Sequence, residues 1–259
     1  MKYCASVLLC FALSFSVRAE DFSSCFVPGE ISGYKVSWMG IPLAWSKSTT
    51  DTTNENGREL IRIRMVTQTY AAYSHIYKVD DITEVLIDPK TALPVRLDII
   101  LNEGSRKKSN ETHFDHENRT AVYIDRLADT TNTVEIAADT REVMSFLYSM
   151  RQTDIADLTA NVHTLFVDGK LHKMGVGFLK EKKAKLPTYG KVECSVLEPV
   201  AEFDALFLRE GKIFFWVSKA DRRMVTLVQA KVAVGKINVK LQKVSGPGDD
   251  FWVKEKEQE

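Results

Sequence analysis

The sequence predicts a mainly β protein in which one strongly curved antiparallel sheet, or open half-barrel, is accompanied by two short helices. Three observations lead to this fold class. Apolar and polar side chains alternate along much of the chain, glycine-containing turns interrupt the alternation, and apolar residues recur at helical spacing in only two segments. Because alternation gives a sheet one apolar and one polar face, the strands are expected to be antiparallel.

Three runs of alternation give the clearest strands, at residues 61–65, 95–101 and 236–241. In each run the apolar side chains take every second position, so that they share one face of a half-buried strand. Another strand is expected from Ile31 until a Gly-Ile-Pro segment breaks it. From Trp45 onward an edge-type strand is expected, because proline is tolerated in sheets mainly at their edges.

Short turns between these runs predict that neighbouring strands pair in sequence order. The turns fall at residues 102–104, 168–169, 210–211 and Gly235. The Asp-Gly pair at 168–169 suits the two positive-φ positions of a tight hairpin turn. This turn predicts that Val167 lies opposite Lys170, and it fixes the register of that hairpin.

Two segments carry a helical pattern of apolar residues instead. In residues 139–150 the apolar positions form one stripe, and Asp139 is expected to cap the helix while Glu142 reaches back in a capping box. A shorter helix is predicted between Tyr70 and Tyr77. Either helix could close the open side of a curved sheet.

The chain is expected to comprise an export signal, one domain and a tail. Residues 1–19 contain the basic Lys2, then an apolar run, and end at Ala19, a pattern typical of a cleaved signal peptide. Residues 20–245 are predicted to form a single curved antiparallel β domain, and residues 246–259 a polar, disordered tail. The mature protein is therefore expected to be periplasmic or otherwise exported, with no transmembrane span after cleavage.

Two cysteines, Cys25 and Cys194, remain after the signal is removed. An oxidising compartment permits a disulfide between them, while a buried thiol is equally ordinary for a cysteine in a strand, so both states stay open. The residues before Cys25 also faintly resemble a lipoprotein cleavage box. The acidic pair Glu20 and Asp21 fits poorly into an apolar signal core and argues against lipidation of Cys25.

The charge pattern argues against nucleic acid as a partner. Basic and acidic residues number 35 each, and removal of the signal takes away only basic ones, so the mature chain is slightly acidic. The one dense basic cluster, residues 180–185, is typical of a solvated hairpin end.

No set of residues predicts catalysis, a metal site or a cofactor. On a strand, His113 and Asp115 face one way and His116 the other, so the three do not converge on an ion. His163 and His172 are diagonal neighbours on one hairpin, which favours surface histidines over metal ligands. The sequence contains no nucleophile elbow, and we expect no enzyme.

Several short sequence motifs, spread over nearly the whole mature chain, match a known pattern. They are Pro28-Gly29-Glu30 before the strand ending in Trp38, and residues 87–94, 114–118, 190–194, 215–223 and 234–237. Together they resemble an exported bacterial family known only as domain of unknown function 3108. One departure is that Met224 and Val225 stand where the family would have a proline. The resemblance implies an envelope protein with a strongly curved antiparallel sheet. It would be akin to periplasmic lipoprotein carriers, whose helices close over an apolar cavity.

Aromatic and methionine residues supply the candidates for a ligand cavity: Trp38, Trp45, Met65, Tyr73, Tyr77, Phe146 and Trp216. They could equally fill a core, since small closed β structures are filled by side chains and wider open ones leave a pocket. Export without catalytic residues leads to the hypothesis of a noncatalytic envelope protein that binds or carries a lipid or other apolar ligand. The alternative is an envelope interaction or assembly module that binds a protein or glycan partner.

Overall fold

The computed structural model describes residues 21–201, 212–220, 222–232 and 234–247. The predicted signal peptide, the turn at 210–211 and the tail beyond residue 247 lie outside these residues. In sequence order the strands are β1 Ile31–Trp38, β2 Ile41–Glu55, β3 Arg58–Thr69, β4 Asp80–Ile87, β5 Pro94–Glu103, β6 Arg106–Asp115, β7 Thr120–Asp125, β8 Thr130–Glu135, β9 His163–Val167, β10 Lys170–Leu186, β11 Gly190–Ala201, β12 Ile213–Ser218, β13 Val225–Lys231 and β14 Lys236–Ser245.

These strands form one antiparallel sheet with the order β8-β7-β6-β5-β4-β3-β2-β1-β14-β13-β12-β11-β10-β9. Each half of the chain is a meander in which sequential strands pair, and the halves join where β1 pairs with β14. The mainly β, antiparallel fold class is confirmed. The sheet is not closed, because β8 and β9 are its two ends and do not pair with each other.

The sheet curves until its two ends approach each other. Phe166 of β9 packs edge-on against Phe114 of β6, with ring centroids 5.3 Å apart, and its centroid lies 6.4 Å from that of Tyr123 in β7. The approach of β9 to β6 and β7 therefore depends on side-chain packing between the two arms. The segment that leads into the first helix also touches β9 through an isolated parallel bridge between Arg141 and Leu165.

Two short α-helices, α1 at Val143–Ser149 and α2 at Ile155–Ala160, follow β8. The first lies inside the predicted helical segment, but its N-cap is Glu142 and not Asp139. Glu142 accepts hydrogen bonds from the backbone of Met144 and Ser145, and the Ser145 hydroxyl completes the capping box. Ser145, three residues after the cap, makes the return hydrogen bond to the backbone of the cap residue, which the sequence pattern had assigned to Glu142.

The second predicted helix is a single 3-10 turn, Ala71–Tyr73, within a loop between β3 and β4. The second α-helix instead occupies residues 155–160, where the sequence carries too short an apolar stripe to predict one. Only Leu158 of that helix is buried. Two short helices are present as predicted, but only one of them lies where the pattern placed it.

Hairpin register agrees with the turn chemistry. Asp168 and Gly169 both have positive φ, 51° and 73°, and Val167 pairs with Lys170. The edge-type strand expected from Trp45 is wrong, since β2 lies between β1 and β3. A bulge between β1 and β2, where Ser37 pairs with Pro42, accommodates the proline inside the sheet.

Candidate functional site

Helix α1 lies against the concave side of the sheet and is buried on most of its surface. Five of its residues are buried: Met144, Ser145, Phe146, Tyr148 and Ser149. A seven-residue helix has too few backbone hydrogen bonds to persist alone, so its place depends on tertiary contacts. The contacts made by Tyr148 and by the residues after the helix fix that place.

Tyr148 fastens the helix to the second strand. Its hydroxyl lies 3.2 Å from the Ser48 hydroxyl and 3.1 Å from the Thr50 hydroxyl, and all three groups are buried. On its other side the ring stacks on Phe26, with centroids 5.9 Å apart. A buried tyrosine with a satisfied hydroxyl gives both packing area and a defined orientation.

A buried ion cluster holds the C-terminal end of the helix. Arg151 donates to both carboxylate oxygens of Glu30, at 2.7 and 3.2 Å, and its guanidinium lies 4.1 Å from the centroid of the Tyr148 ring. Arg222 also donates to Glu30, at 2.9 Å. The Glu30 side chain is 1% exposed and that of Arg151 7% exposed. This cluster joins the residue before β1, the segment after α1 and the turn between β12 and β13.

The sequence did not predict this cluster, although two of its members lie in motifs that carry the family resemblance. Glu30 ends the Pro-Gly-Glu motif, and Arg222 lies in the Asp-Arg-Arg motif. Their separation in the chain hid the pairing. Only the curvature of the sheet brings these two motifs together around Arg151.

A first cavity of about 100 Å³ lies between α1 and the sheet. Apolar side chains supply most of its wall, and Tyr148 and Arg151 border it. Its lining residues are Tyr34, Ser46, Ser48, Met65, Met144, Leu147, Tyr148, Arg151, Val225, Val228 and Val239. It therefore combines an apolar space with a polar margin at the end of the helix.

A second cavity of about 180 Å³ lies on the other side of the first turn of α1. Met65 and Met144 line both cavities. Two polar atoms in the wall of the second cavity, Asn110 Oδ1 and Thr112 Oγ1, are buried without a hydrogen-bond partner. Such atoms are costly unless a further group bonds to them, so this cavity is suited to a ligand with a polar group.

Glu142 adds a titratable group to the second cavity. It is fully buried, and burial raises the pKa of its carboxyl from 4.5 to about 7, while the backbone hydrogen bonds from Ser145 and Met144 lower it. A carboxyl with this pKa is part protonated near neutral pH. An anionic ligand group beside it would meet repulsion from the ionised form, whereas a neutral hydroxyl would not.

The structure disperses the seven cavity residues proposed from the sequence. Met65 is the one that lines the two cavities described above. Phe146 and Trp216 pack in or against separate apolar clusters, and Trp38 and Tyr77 are exposed. Trp45 in β2 and Tyr73 in the 3-10 turn are partly buried. Aromatic content identified apolar residues, but it could not tell which face or end of the sheet each would occupy.

The two cysteines are buried thiols in different clusters, and no disulfide joins them. Cys25 lies near the end of α1, with its sulfur 3.6 Å from the Gln152 side-chain oxygen, and burial raises the pKa of this thiol to about 11. The sulfur of Cys194 lies 3.2 Å from the Thr226 hydroxyl. The sequence left open whether Cys25 and Cys194 form a disulfide or remain thiols, and in the structure both are free thiols.

Three of the histidines contact neighbouring protein groups. His113 lies 2.6 Å from Glu111, and His116 contacts the carbonyl of Pro94 at 2.9 Å. His163 is partly buried against Phe146 and contacts the Leu158 carbonyl. Across the described residues, no three histidine, cysteine, aspartate or glutamate side chains are grouped as metal ligands. Nor does any helix in these parts of the chain have the length and apolarity to cross a membrane.

Comparison with known proteins relates the chain to one family of unknown function and finds solved structures to compare with its fold. A family model described as a protein of unknown function, DUF3108, matches residues 33–242. No curated protein matches significantly. A β-barrel-like protein of domain of unknown function DUF1849 from Brucella abortus is similar in structure, with a TM-score of 0.51 and 11% identity over 85% of this chain and 98% of that one. A DUF1329 family protein from Desulfovibrio piger has a TM-score of 0.23 and 11% identity, with 87% and 89% coverage.

Proposed function

This chain belongs to the family DUF3108, whose function is unknown, and we propose that it is a noncatalytic protein of the cell envelope that binds an amphiphilic ligand beneath α1. The observation that carries the proposal is the pair of largely apolar cavities that share Met65 and Met144. The envelope location rests on the signal-like N-terminal sequence and stays a prediction.

The two methionines give the ligand space its adaptability. Methionine is unbranched and flexible, so a rotation of either side chain can open a passage between the cavities. Each cavity alone is smaller than the roughly 300 Å³ at which ligand pockets begin, and the two joined approach that size. The site would therefore suit one slender aliphatic chain and would be too small for a two-chain phospholipid.

The wall of the second cavity supplies the polar end of the ligand. Asn110 Oδ1 accepts hydrogen bonds, and the Thr112 hydroxyl can accept or donate. Glu142 lies in the same wall, and the ionised form of its carboxyl would repel an anionic head group. We therefore propose a neutral hydroxyl head on an aliphatic tail as the preferred ligand chemistry.

The test compares decanol with decanoate by isothermal titration calorimetry and native mass spectrometry on the mature chain. We expect one bound decanol per chain and weaker binding of decanoate. Val228→Phe, which fills the first cavity, should reduce decanol affinity at least tenfold. Val66→Phe is the matched control, because Val66 neighbours Met65 on β3 but does not line either cavity.

Thermal unfolding of both variants establishes that they fold. Absence of decanol binding to the native chain would refute the proposal, as would equal affinities for the Val228→Phe and Val66→Phe variants. Native mass spectrometry of protein purified from its own envelope without detergent would then identify a natural ligand by its added mass.

A second candidate, an interaction module for another envelope protein, is favoured by strand β8. It ends the sheet order, and five of its six residues are exposed. An unpaired edge can bind an added strand through its backbone. A photo-crosslinking residue at Thr131 should then capture one protein partner, while the same residue at Lys183 should not. Equal labelling at both positions would count against this candidate.

A further inference from the structure

Exposed apolar side chains are concentrated at one end of the sheet. Because the strands run in a meander, alternate turns lie at the same end. The turns at 39–40, 70–79, 104–105, 126–129, 168–169 and 232–235 share one end, which we call the Trp38 end. Large exposed apolar residues in or beside these turns are Trp38, Met39, Ile41, Ile76, Tyr77, Leu127 and Val234. Among the described residues, the hairpin turns at the opposite end contain no exposed large apolar side chain, and Val162, 64% exposed in the segment before β9, is the exposed large apolar residue beside a strand at that end.

Two neighbouring hairpins bring four of these residues together. Strands β1 and β14 pair, so the turn after β1 lies beside the turn before β14. The Trp38 indole donates a hydrogen bond to the Val234 carbonyl at 2.8 Å, which joins the two turns. Met39 and Val234 are 63% and 66% exposed, and Ile41 is 48% exposed. We call Trp38, Met39, Ile41 and Val234 the apolar tip.

Lysines lie directly behind the apolar tip. Lys35 pairs with Lys240 across β1 and β14, and Lys231 pairs with Lys236 across β13 and β14. Residues paired directly across a sheet share a face, and like charges there are destabilising. None of the four forms an ion pair within the described part of the chain. The unfavourable pairing of like charges is explained if an anionic partner neutralises the lysines.

The two stretches of sequence that carry these lysines contain no acidic residue. Residues 31–50 and 222–248 carry neither aspartate nor glutamate, although the whole chain has 35 acidic residues. Lys231 and Lys236 flank the turn itself, and Lys35 is three residues from Trp38, about 10 Å along a strand. An anionic surface that meets the apolar tip would therefore be within reach of the lysines.

We propose that the Trp38 end docks on an anionic phospholipid bilayer. The apolar tip enters the interface between head groups and acyl chains, where tryptophan is favoured, and the four lysines face the anionic head groups. A protein partner would need a groove for the tip and a carboxylate for each lysine, whereas a bilayer offers both chemistries at any position. The proposal goes beyond ligand binding and does not require an occupied cavity.

The experiment is flotation of the mature chain with vesicles of phosphatidylcholine alone or with 30% phosphatidylglycerol. We expect binding to the anionic vesicles only, weakened by 0.5 M salt. Since each lysine near such a surface contributes about fivefold to binding, Lys231→Glu/Lys236→Glu should reduce the bound fraction tenfold or more. Met39→Ser/Ile41→Ser should reduce it as well.

The matched control is Lys180→Glu/Lys185→Glu, which makes the same charge change at exposed lysines of β10. It should float like the native chain, as should Val228→Phe, which alters a cavity and not the tip. All these lysines are on the surface, and thermal unfolding checks the fold of each variant. The proposal is overturned if the native chain does not float with anionic vesicles, or if the control loses binding as strongly as Lys231→Glu/Lys236→Glu.

Discussion

Replacement of Arg151 by methionine tests whether the buried ion cluster positions helix α1. Methionine keeps much of the aliphatic stem but removes both hydrogen bonds to Glu30, at 2.7 and 3.2 Å. The stacking of the guanidinium on Tyr148 is also lost. Glu30 would keep Arg222, at 2.9 Å, and the weaker contact with the Ser32 hydroxyl at 3.4 Å.

The cost follows from the burial of the charge that remains. Removal of one partner from a buried ion pair typically destabilises a protein by about 3–5 kcal/mol, because the other charge stays buried without full compensation. The side chain of Arg222 is 20% exposed, so its compensation of Glu30 is incomplete. For a chain of this size each kcal/mol lowers Tm by roughly 2–4 °C, and we expect a decrease of roughly 6–20 °C.

Thermal and urea unfolding, followed by circular dichroism, measure this cost. The control is Arg64→Met, which removes an exposed pair with Glu84 and should cost under about 1 kcal/mol. The double variant Glu30→Gln/Arg151→Met should be more stable than Arg151→Met alone, since a neutral amide replaces the buried carboxylate that Arg222 compensates only in part. A cost for Arg151→Met no larger than that for Arg64→Met would refute the reasoning.

Three further predictions concern the packing and titration of the same interior. Phe166→Ala should cost about 3–5 kcal/mol in urea unfolding and raise amide exchange in β9, because the ring packs on Phe114; unchanged exchange would contradict it. Tyr148→Phe should cost about 1–2 kcal/mol, measured against Tyr73→Phe as a control, because two buried hydroxyls lose their partner. Since the folded pKa of Glu142, about 7, exceeds its ordinary 4.5, its proton favours the folded state. That stability is complete below pH 4.5 and is lost as pH rises through 7, by roughly 3 kcal/mol in all. Urea unfolding of Glu142→Gln at pH 4.5 and 8 should lack this decline, and an equal decline in the variant would exclude Glu142 as its source.

The sequence by itself determined the fold class and much of the strand register. Alternation predicted antiparallel strands, and the Asp168-Gly169 turn predicted its hairpin register, because both signals are local in the chain. The helical stripe in residues 139–150 was also local, and it placed α1 within a few residues. The N-cap was misplaced by three residues: the capping-box pattern predicted Asp139 as the cap and Glu142 within the first turn, whereas Glu142 is the cap.

Only the tertiary structure decided what the concave side contains. Glu30, Arg151 and Arg222 meet because the sheet curves, and no local pattern encodes a contact between residues so far apart in sequence. The same curvature makes Met65 a cavity residue and leaves Trp38 at an exposed end, although both are apolar residues in strands. Periodicity indicates which side chains share a face of a strand. A cavity or a buried ion cluster depends instead on which of these faces the folded chain brings together.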